Sequence, residues 1–423
     1  MPKISKILLL AVSVVLVLVV FLGVNWRGVR AASATAGQDG AYRQINVYSD
    51  VLQKIQDDYV TQPNIPEVTN GALRGLLESL DADSSYLTAS DYKAYKADEG
   101  GKTAQVGINA SKRYGYAIVV SVVPGSPADK AGLVDNDILE AIDGKDTRNI
   151  SLAMIQRLLQ GAPGSTLTVG VVRPSKPEPD KISMTRAIIT EPPVKEDQYE
   201  NASILYLKPA TIDRAHVDEI QARLKQMPKS GNKKVLLDLR DVASGDMSEG
   251  IRLANLFLNG QMIGSLEGQK FPKQVFWSDA AKSVSPNAPL IVLVNRGTAG
   301  AAELVAGAIL DDKRGDVVGE KTFGEGGQQK TFELADGGAL ILTIAKYESP
   351  SGKKLQDEGV TPNVPITAPA EEQADVTDES LPQGPAPAAA PATAPTTALP
   401  KKPSVQVDEP LTKALDLLKA KPA

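Results

Sequence analysis

A buried strand that runs directly onto a helix is the segment of this sequence best suited to chemistry. The apolar run PLIVLVN leads into RGTAG and then into the helical stretch AAELVAGAIL. Such a turn presents residues 298–300 at a helix N-terminus, where free amides and the helix dipole favour negative charge. This is the geometry of a nucleophile elbow. Taken alone it is weak evidence, because every layered α/β fold contains several strand–turn–helix units.

A second candidate site is a loop that could bind a peptide carboxylate. The stretch VGI at 106–108 is followed by PGSPADKAGL and NDILEAIDG, a combination that resembles a PDZ domain. The resemblance implies that the loop amides of Gly107, Ile108 and Asn109 bind a terminal carboxylate, with Leu133 and Leu158 lining the adjacent apolar pocket. The alternative is that these residues only form the core and turns of a β-module.

Several kinds of chemistry are excluded or disfavoured by composition. The chain has no cysteine, which excludes thiol catalysis, disulfides and cysteine-ligated zinc. The single histidine, His216, lies in AHVDEI, where a solvated helix face is expected rather than a catalytic role. No His/Asp/Glu cluster has metal-ligand spacing, so neither metal nor cofactor is expected. A net charge of -5 without basic clusters disfavours nucleic acid as a partner.

The N-terminus predicts export. Lys3 and Lys6 precede an uninterrupted apolar run, Ile7 to Val24, within a predicted anchor segment of residues 1–30. Eighteen helical residues rise about 27 Å, close to the roughly 30 Å of a bilayer core, whereas a cleavable signal core usually has ~7–15 residues. We therefore expect a retained transmembrane helix, with cleavage at residues 31–34 as the alternative. The folded part is expected in the periplasm or another extracytoplasmic space.

The pattern of the remaining chain changes several times. Helical spacing of Tyr48, Val51, Leu52, Ile55 and Tyr59 opens a predicted small helical N-terminal domain at 42–100. Short β-runs with turn signals follow at 101–175, where the PDZ-like motifs lie. Alternating β-runs and helical stretches then predict an α/β domain with one mixed sheet at 190–365.

The C-terminal segments differ from the rest in composition. Residues 366–404 are rich in proline, alanine and acidic groups, which predicts a disordered or polyproline-like linker. After it, 405–423 places Leu411, Leu415 and Leu418 on one helical face, which predicts a helix that docks back on the domain.

The order of these elements resembles the bacterial C-terminal processing (tail-specific) proteases, PDZ-containing serine peptidases with a Ser/Lys dyad. The matching segments run in the family's order: LQKIQDDYV, SLDADSSYL, GSPADKAGL, LLDLRDVASG, LVNRGTAGAAEL, VVGEKTFGEGGQQ and LQDEGVTPNV. The family has SLDPHSSYL, LDLRNNPGG and VVGEPTFGKGxVQ at the corresponding places. The resemblance implies a ClpP/crotonase-like α/β domain with an inserted PDZ domain.

The catalytic positions implied by this resemblance are not conserved in type. The nucleophilic serine falls on Gly300 and the lysine base on Glu325, whereas the supporting Gln329 is kept. Glu303, at the start of the elbow helix, is also kept. In the oxyanion region, Pro-Gly-Gly becomes Ala-Ser-Gly, with Ser244 and Gly245 in the second and third places. A Ser/Lys mechanism needs a hydroxyl next to an amine of lowered pKa, and neither group is present.

These observations predict an anchored pseudoprotease. It would bind exposed protein C-termini or unfolded peptides as a scaffold, an adaptor or a competitor of an active relative. The main alternative is an active serine-type endopeptidase with a relocated nucleophile, such as Thr298 with Glu325 as base. A structural envelope protein with an unused PDZ groove is a third possibility. Family resemblance also implies possible homodimers.

Overall fold

The computed structural model describes residues 40, 42–97, 104–173, 176–366 and 408–422. The predicted anchor and nearly all of the predicted linker lie outside these residues. No helix in the described part is long and apolar enough to cross a membrane. The chain divides into two compact units between Ala72 and Leu73.

The first unit contains helix α1 over residues 42–58 and the start of helix α2, Ile65–Glu78. The residues whose spacing predicted α1 are largely exposed: Val51 has 52% and Tyr59 60% of its surface accessible.

Region 42–100 was expected to be one helical domain, and that expectation is wrong. Strand β1, Ser85–Leu87, pairs with a strand more than 250 residues later, and helix α3 is Ala89–Ala97. Three residues are too few for a period-2 pattern to be recognised in the sequence.

The PDZ region forms a six-stranded antiparallel sheet with the order β3-β4-β5-β8-β9, in which β6 also pairs with β5. Two helices accompany it: α4 is Pro127–Lys130 and α5 is Leu152–Leu159. A two-stranded ladder joins β2, Ala104–Gln105, to β7, Gln160–Gly161. The strands of the main sheet are β3 Ile108–Arg113, β4 Tyr116–Val122, β5 Ile138–Ile142, β6 Lys145–Asp146, β8 Thr166–Arg173 and β9 Lys176–Thr185.

Strand β9 extends the module ten residues beyond the boundary expected at 175. Its sequence, KPEPDKISMT, is polar and contains two prolines, so the sequence pattern does not predict a strand here. It pairs only with β8 among the described residues, and an edge strand tolerates proline because one side of its backbone makes no ladder bonds.

The C-terminal domain has two sheets rather than the one mixed sheet that was expected. The six-stranded sheet has the order β10-β11-β12-β15-β16-β19 and is parallel except for β10. The second sheet is antiparallel, with the order β1-β18-β13-β14 and with β17 paired to β18. The run ALILTIAKY belongs to β18, so this last long strand extends the second sheet and not the first.

The strands of the first sheet are β10 Lys195–Tyr199, β11 Ile204–Lys208, β12 Lys234–Asp238, β15 Leu290–Val294, β16 Asp316–Gly319 and β19 Val364–Pro365. Those of the second are β13 Met262–Glu267, β14 Gln274–Trp277, β17 Gly327–Glu333 and β18 Ala339–Glu348. The helices are α6 Arg214–Ser230, α7 Met247–Asn255, α8 Ala301–Asp311 and α9 Glu409–Ala420.

Successive side chains of the central strands point to opposite faces of the sheet, and each face packs in its own hydrophobic core. Leu205 and Leu207 of β11 pack in the core that contains α6, α7 and α8. Ile204 and Tyr206, which point the other way, pack with Leu418 of α9. Because successive strand residues face opposite sides, a fully apolar strand such as β15 must be covered on both faces. Helix α9 supplies the second cover, as the spacing of its leucines predicts.

Helix α9 is held at both ends. Its N-cap residue Asp408 accepts the backbone N–H of Leu411 at 3.0 Å and an ion pair from Arg240 at 2.8 Å. At the other end the Lys234 ammonium, in a side chain that is almost fully buried, donates to the carbonyls of Leu418 at 2.7 Å and Lys421 at 2.6 Å. A cation at a helix C-terminus satisfies orphan carbonyls and complements the helix dipole.

Candidate active site and peptide groove

The predicted elbow is formed by the end of β15, the turn at 295–300 and the start of α8. Thr298 fixes this turn. Its hydroxyl donates to the carbonyl of Leu239 at 2.8 Å and accepts the N–H of Asn295 at 3.0 Å, and the residue has no accessible surface. A hydroxyl held in this way is not placed to attack a substrate, so the structure gives Thr298 a structural role.

Gly300 stands at the N-cap of α8 with φ 60° and ψ −122°. Only glycine adopts positive φ of this kind without strain. A Cβ built on Gly300 would meet nothing within 4 Å. The position at which the resemblance predicts the nucleophile therefore has open space beside it and no side chain.

Glu303 connects the elbow to the loop that carries Glu325. Its fully buried carboxylate accepts the backbone N–H groups of Gly300 at 3.1 Å, Gly324 at 2.7 Å and Glu325 at 2.7 Å, and also the hydroxyl of Thr322. All four partners are donors, which suits an ionised carboxylate. Burial nevertheless raises its pKa to about 7, against the effect of these hydrogen bonds.

Glu325, the position at which the resemblance predicts the family's lysine, is half-buried. Burial raises its pKa to about 8, and the nearby carboxyl groups of Asp83 and Glu303 add to the effect. Asp83 itself has a pKa raised to about 6 by burial and by Asp81. Burial and like charges both disfavour ionisation, so Glu325 is mainly protonated at neutral pH. A neutral carboxylic acid is no substitute for an amine base.

Sequence reasoning missed Asp83 as a member of this site. The signal was present, because SLDADSSYL places Asp83 where the family has histidine in SLDPHSSYL. Its amide partner is Gln356, whose Nε2 donates to Asp83 Oδ2 at 3.1 Å. The same glutamine accepts the N–H of Gly326 at 2.8 Å, which joins residues around 83 to the loop after Glu325.

A cleft of about 640 Å³ opens over these carboxyl groups. The PDZ hairpin residues 111–114 form one side, and loop 321–325 forms the other. Arg113 at the end of β3 donates to the Phe323 carbonyl at 2.5 Å, and its guanidinium lies 4.4 Å from the centre of the Phe323 ring. The PDZ region is thus in direct contact with the loop that carries Glu325.

The predicted oxyanion segment lies beside the elbow, since Ala299 donates its N–H to Val242 at 3.0 Å. Gly245 has φ 137°, and a Cβ there would lie 2.4 Å from the Ile212 carbonyl oxygen, so this glycine is required. The Ser244 carbonyl accepts the N–H of Ile212 at 3.0 Å. Its hydroxyl is buried without a hydrogen-bond partner among the described residues. Gln329 lies on β17, half-buried and opposite Thr343.

The predicted carboxylate loop of the PDZ region has a defined geometry. Gly107 has φ 84°, and a Cβ there would lie 2.3 Å from the Ser126 Cβ. Ile108 begins β3, which pairs with β4 alone among the described strands and so leaves an edge for strand addition. The Asn109 amide donates to the Ser121 hydroxyl at 2.8 Å.

The two predicted pocket leucines differ in exposure. Leu133 is only 3% exposed and belongs to the PDZ core, whereas Leu158 of α5 is partly buried at the margin of that core. Helix α5 contacts β3, and Leu158 is the more accessible of the two leucines.

His216 does not lie on a solvated face, and that expectation is wrong. It is 6% exposed, and its ring contacts Asp213 and the carbonyl of Pro192. The polar neighbours in AHVDEI suggest solvent, but only Asp218 is exposed, whereas Glu219 is half-buried and accepts the Val194 N–H. Among the described residues no cluster of histidine, aspartate or glutamate is arranged to hold a metal ion.

Comparison with known proteins agrees with this architecture. Residues 203–366 match the model of peptidase family S41, and residues 118–173 match a PDZ domain. The carboxy-terminal-processing protease of Bartonella bacilliformis is 30% identical over 367 residues, covering 86% of this chain and 84% of that protein. The carboxyl-terminal-processing protease of Picosynechococcus is 35% identical over 298 residues, covering 69% and 71%.

A solved structure shows the same fold. The photosystem II D1 C-terminal processing protease superposes with a TM-score of 0.63 at 26% identity, over 76% of this chain and 92% of that one. With its S41 and PDZ regions and its similarity over most of the length of these relatives, the chain belongs to the C-terminal processing protease family.

Proposed function

We propose that this protein is a pseudoprotease that binds exposed protein C-termini without cleaving them. The observation that carries the proposal is Gly300, which keeps the elbow conformation and open space of a nucleophile position but has no side chain. Loss of a nucleophile costs roughly six orders of magnitude in turnover in a comparable enzyme. Glu325 adds to the effect, because its pKa of about 8 leaves a protonated acid where an amine is needed.

Binding is assigned to the PDZ region and the adjoining cleft. Strand β3 has no partner on one side among the described strands, which leaves room for a peptide strand, and the loop at Gly107 precedes it. We propose that the ligands end in small apolar residues, because Leu158 offers no charge beyond the amide loop. Such a protein would act in the cell envelope as a scaffold, an adaptor or a competitor of an active relative.

The alternative is an active endopeptidase with a relocated nucleophile. Thr298 is disfavoured as that nucleophile, because its hydroxyl is buried and hydrogen-bonded to the Leu239 carbonyl. Ser244 is a second candidate, since it lies in the predicted oxyanion segment and its Oγ has no hydrogen-bond partner among the described residues. A variant with Ser244→Ala therefore tests this alternative directly.

The deciding assay is steady-state hydrolysis of an unfolded substrate with a tagged C-terminus, combined with a covalent serine probe and peptide mapping. The wild type should cleave no faster than buffer and should take up no probe at 239–246 or 295–303. Robust cleavage together with probe uptake at Ser244 or Thr298 would instead establish a relocated nucleophile; loss of cleavage in Thr298→Ala alone would not, because Thr298 fixes the turn.

Peptide binding separates the pseudoprotease from a purely structural envelope protein. The full chain should bind a peptide with a free terminal carboxylate and should bind the same peptide with a C-terminal amide far more weakly. A matched variant, Leu158→Asp, should weaken binding of the free acid. Equal affinity for acid and amide, or no binding of either, would contradict the proposal.

A further inference from the structure

The segment that leaves the PDZ region and enters the C-terminal domain is fastened to helix α6. This connector, residues 188–194, runs from the bridge at Ala187 to the start of β10. The Pro192 carbonyl lies 2.9 Å from His216 Nε2, and the Val194 N–H donates to Glu219 Oε2 at 2.9 Å. Both α6 residues project from the first two turns of that helix.

The hydrogen bonds of His216 define its protonation state. A peptide carbonyl can only accept, so Nε2 must carry a hydrogen to bind Pro192. The Asp213 carboxylate, 2.7 Å from Nδ1, also accepts, so Nδ1 must carry a hydrogen as well. Only the imidazolium form supplies both donors. The geometry therefore selects a charged ring in a site that is almost fully buried.

The charged groups that act most strongly on the ring are negative. Asp213 is the N-cap of α6, Glu219 lies on the next turn, and Glu191 faces the ring from the connector. Burial favours the neutral ring, but the Pro192 carbonyl and the carboxylates of Asp213 and Glu219 outweigh it, so the pKa of His216 is raised above 6.5. Glu191 has a pKa raised by its own burial and is the weakest of the three as a counter-charge.

Loss of one proton breaks a particular contact. A neutral imidazole keeps one N–H, and the charged Asp213 holds it because charge-assisted hydrogen bonds are the stronger kind. Nε2 then presents a lone pair to the Pro192 carbonyl, and two acceptors face each other. The connector loses this attachment to α6, while the N-cap of the helix is retained.

We propose that His216 is a proton-operated latch, which holds the connector between the PDZ and protease-like domains on helix α6 when charged and releases it when neutral. The latch sets how firmly the PDZ region is tied to the domain that carries the cleft. It is independent of whether the cleft cleaves peptides.

The test begins with the wild-type chain, because its single histidine gives an imidazole nitrogen signal that needs no further assignment. Nitrogen chemical shifts should show both ring nitrogens protonated at pH 5.5 and a titration midpoint above 6.5. The protection factor of the Val194 amide, corrected for intrinsic exchange, should fall as the pH passes the midpoint. Each unit by which the pKa is raised corresponds to about a tenfold change in the opening equilibrium.

Two variants serve as controls. His216→Gln cannot titrate, so its Val194 protection should not change between pH 6 and 8.5. Asp213→Asn keeps a good N-cap but removes the charge, and should lower the midpoint of His216. A wild-type midpoint at or below 6.5 would overturn the latch, as would a pH step of equal size in His216→Gln. If His216→Gln does not fold, an unshifted midpoint in Asp213→Asn has the same consequence.

Discussion

At Gly300 the surroundings would admit a serine side chain, whereas the backbone conformation disfavours one. The open space beside it admits a serine side chain, but φ 60° strains any residue with a Cβ. We expect Gly300→Ser and Gly300→Ala to destabilise the fold equally, by about 1–3 kcal/mol, with no gain in hydrolysis from either. Urea denaturation of both variants measures the cost; an alanine variant as stable as wild type would show that the turn relaxes.

Restoring the dyad should recover little activity by itself. Gly300→Ser with Glu325→Lys brings back both groups, but Ser244 still alters the segment that should present oxyanion-binding amides. Such donors must be held within a few tenths of an ångström, so we expect very weak cleavage until Ala243→Pro and Ser244→Gly are added. Steady-state hydrolysis by the double and quadruple variants checks this. Strong cleavage by the double variant would show that the loop was never limiting.

Glu325 should make stability depend on pH. Its pKa rises from 4.5 to about 8 on folding, so the folded state binds more protons between those values. The contribution of Glu325 to the free energy of unfolding is then fully present below pH 4.5 and is lost as the pH rises towards 8. Glu325→Gln should remove this loss and become more stable than wild type at pH 8.5, with a smaller difference at pH 5.5.

Glu303→Gln is the matched control for that measurement. It replaces a carboxylate that accepts four hydrogen bonds by an amide that turns donors towards donors, so it should destabilise at both pH values. Urea unfolding of both variants at pH 5.5 and 8.5 provides the comparison. An unchanged pH dependence in Glu325→Gln would contradict the buried, protonated state of Glu325.

At the level of elements, helix α9 depends on a buried cation. Lys234→Met removes the donor that satisfies three carbonyls at the helix C-terminus. We expect a loss of about 1–3 kcal/mol, because unsatisfied buried acceptors carry their full desolvation penalty. Lys413→Met on the exposed face of the same helix is the control and should stay within about 0.5 kcal/mol of wild type. Equal losses of stability in the two variants would contradict a capping role for Lys234.

The sequence predicts those elements that are long enough to show a regular spacing of apolar residues. Strand β15 and helix α8 follow from an apolar run that turns onto a 3.6-residue pattern, and α9 follows from three leucines on one face. Strand β1 has three residues, and β9 has two prolines, so neither shows an alternating pattern. Their pairing is decided by partners distant in sequence, which propensity cannot specify.

The site divides in the same way. Motif order predicts Gly300 and Glu325 as site positions, and the structure brings both into contact with Glu303. Motif order does not predict the buried position of His216 or the place of Asp83 in the cleft. Both depend on contacts between segments far apart in the chain, such as His216 with Pro192 and Asp83 with Gln356. A motif records residue types at fixed spacing and carries no information about which side chain is desolvated.

For the whole molecule, we propose that the folded part lies outside the cytoplasmic membrane. The apolar run from Ile7 to Val24 with lysines before it favours insertion with those lysines inside. Protease added to spheroplasts should digest the chain beyond residue 40, and a cytoplasmic marker protein should survive as the control. Protection of the region beyond residue 40 would contradict this location.

The conformation of Gly300 also bears on how such a protein arises and persists. If the protein is the pseudoprotease proposed above, exchange of a serine for glycine at this elbow would relieve the strain that φ 60° imposes on a residue with a Cβ, so the loss of activity would favour folding. The reverse exchange would cost folding stability and would bring no activity until other positions had changed as well. On the proposed function, loss of the nucleophile at this position would therefore be easier than its recovery, and the fold would persist after hydrolysis is lost.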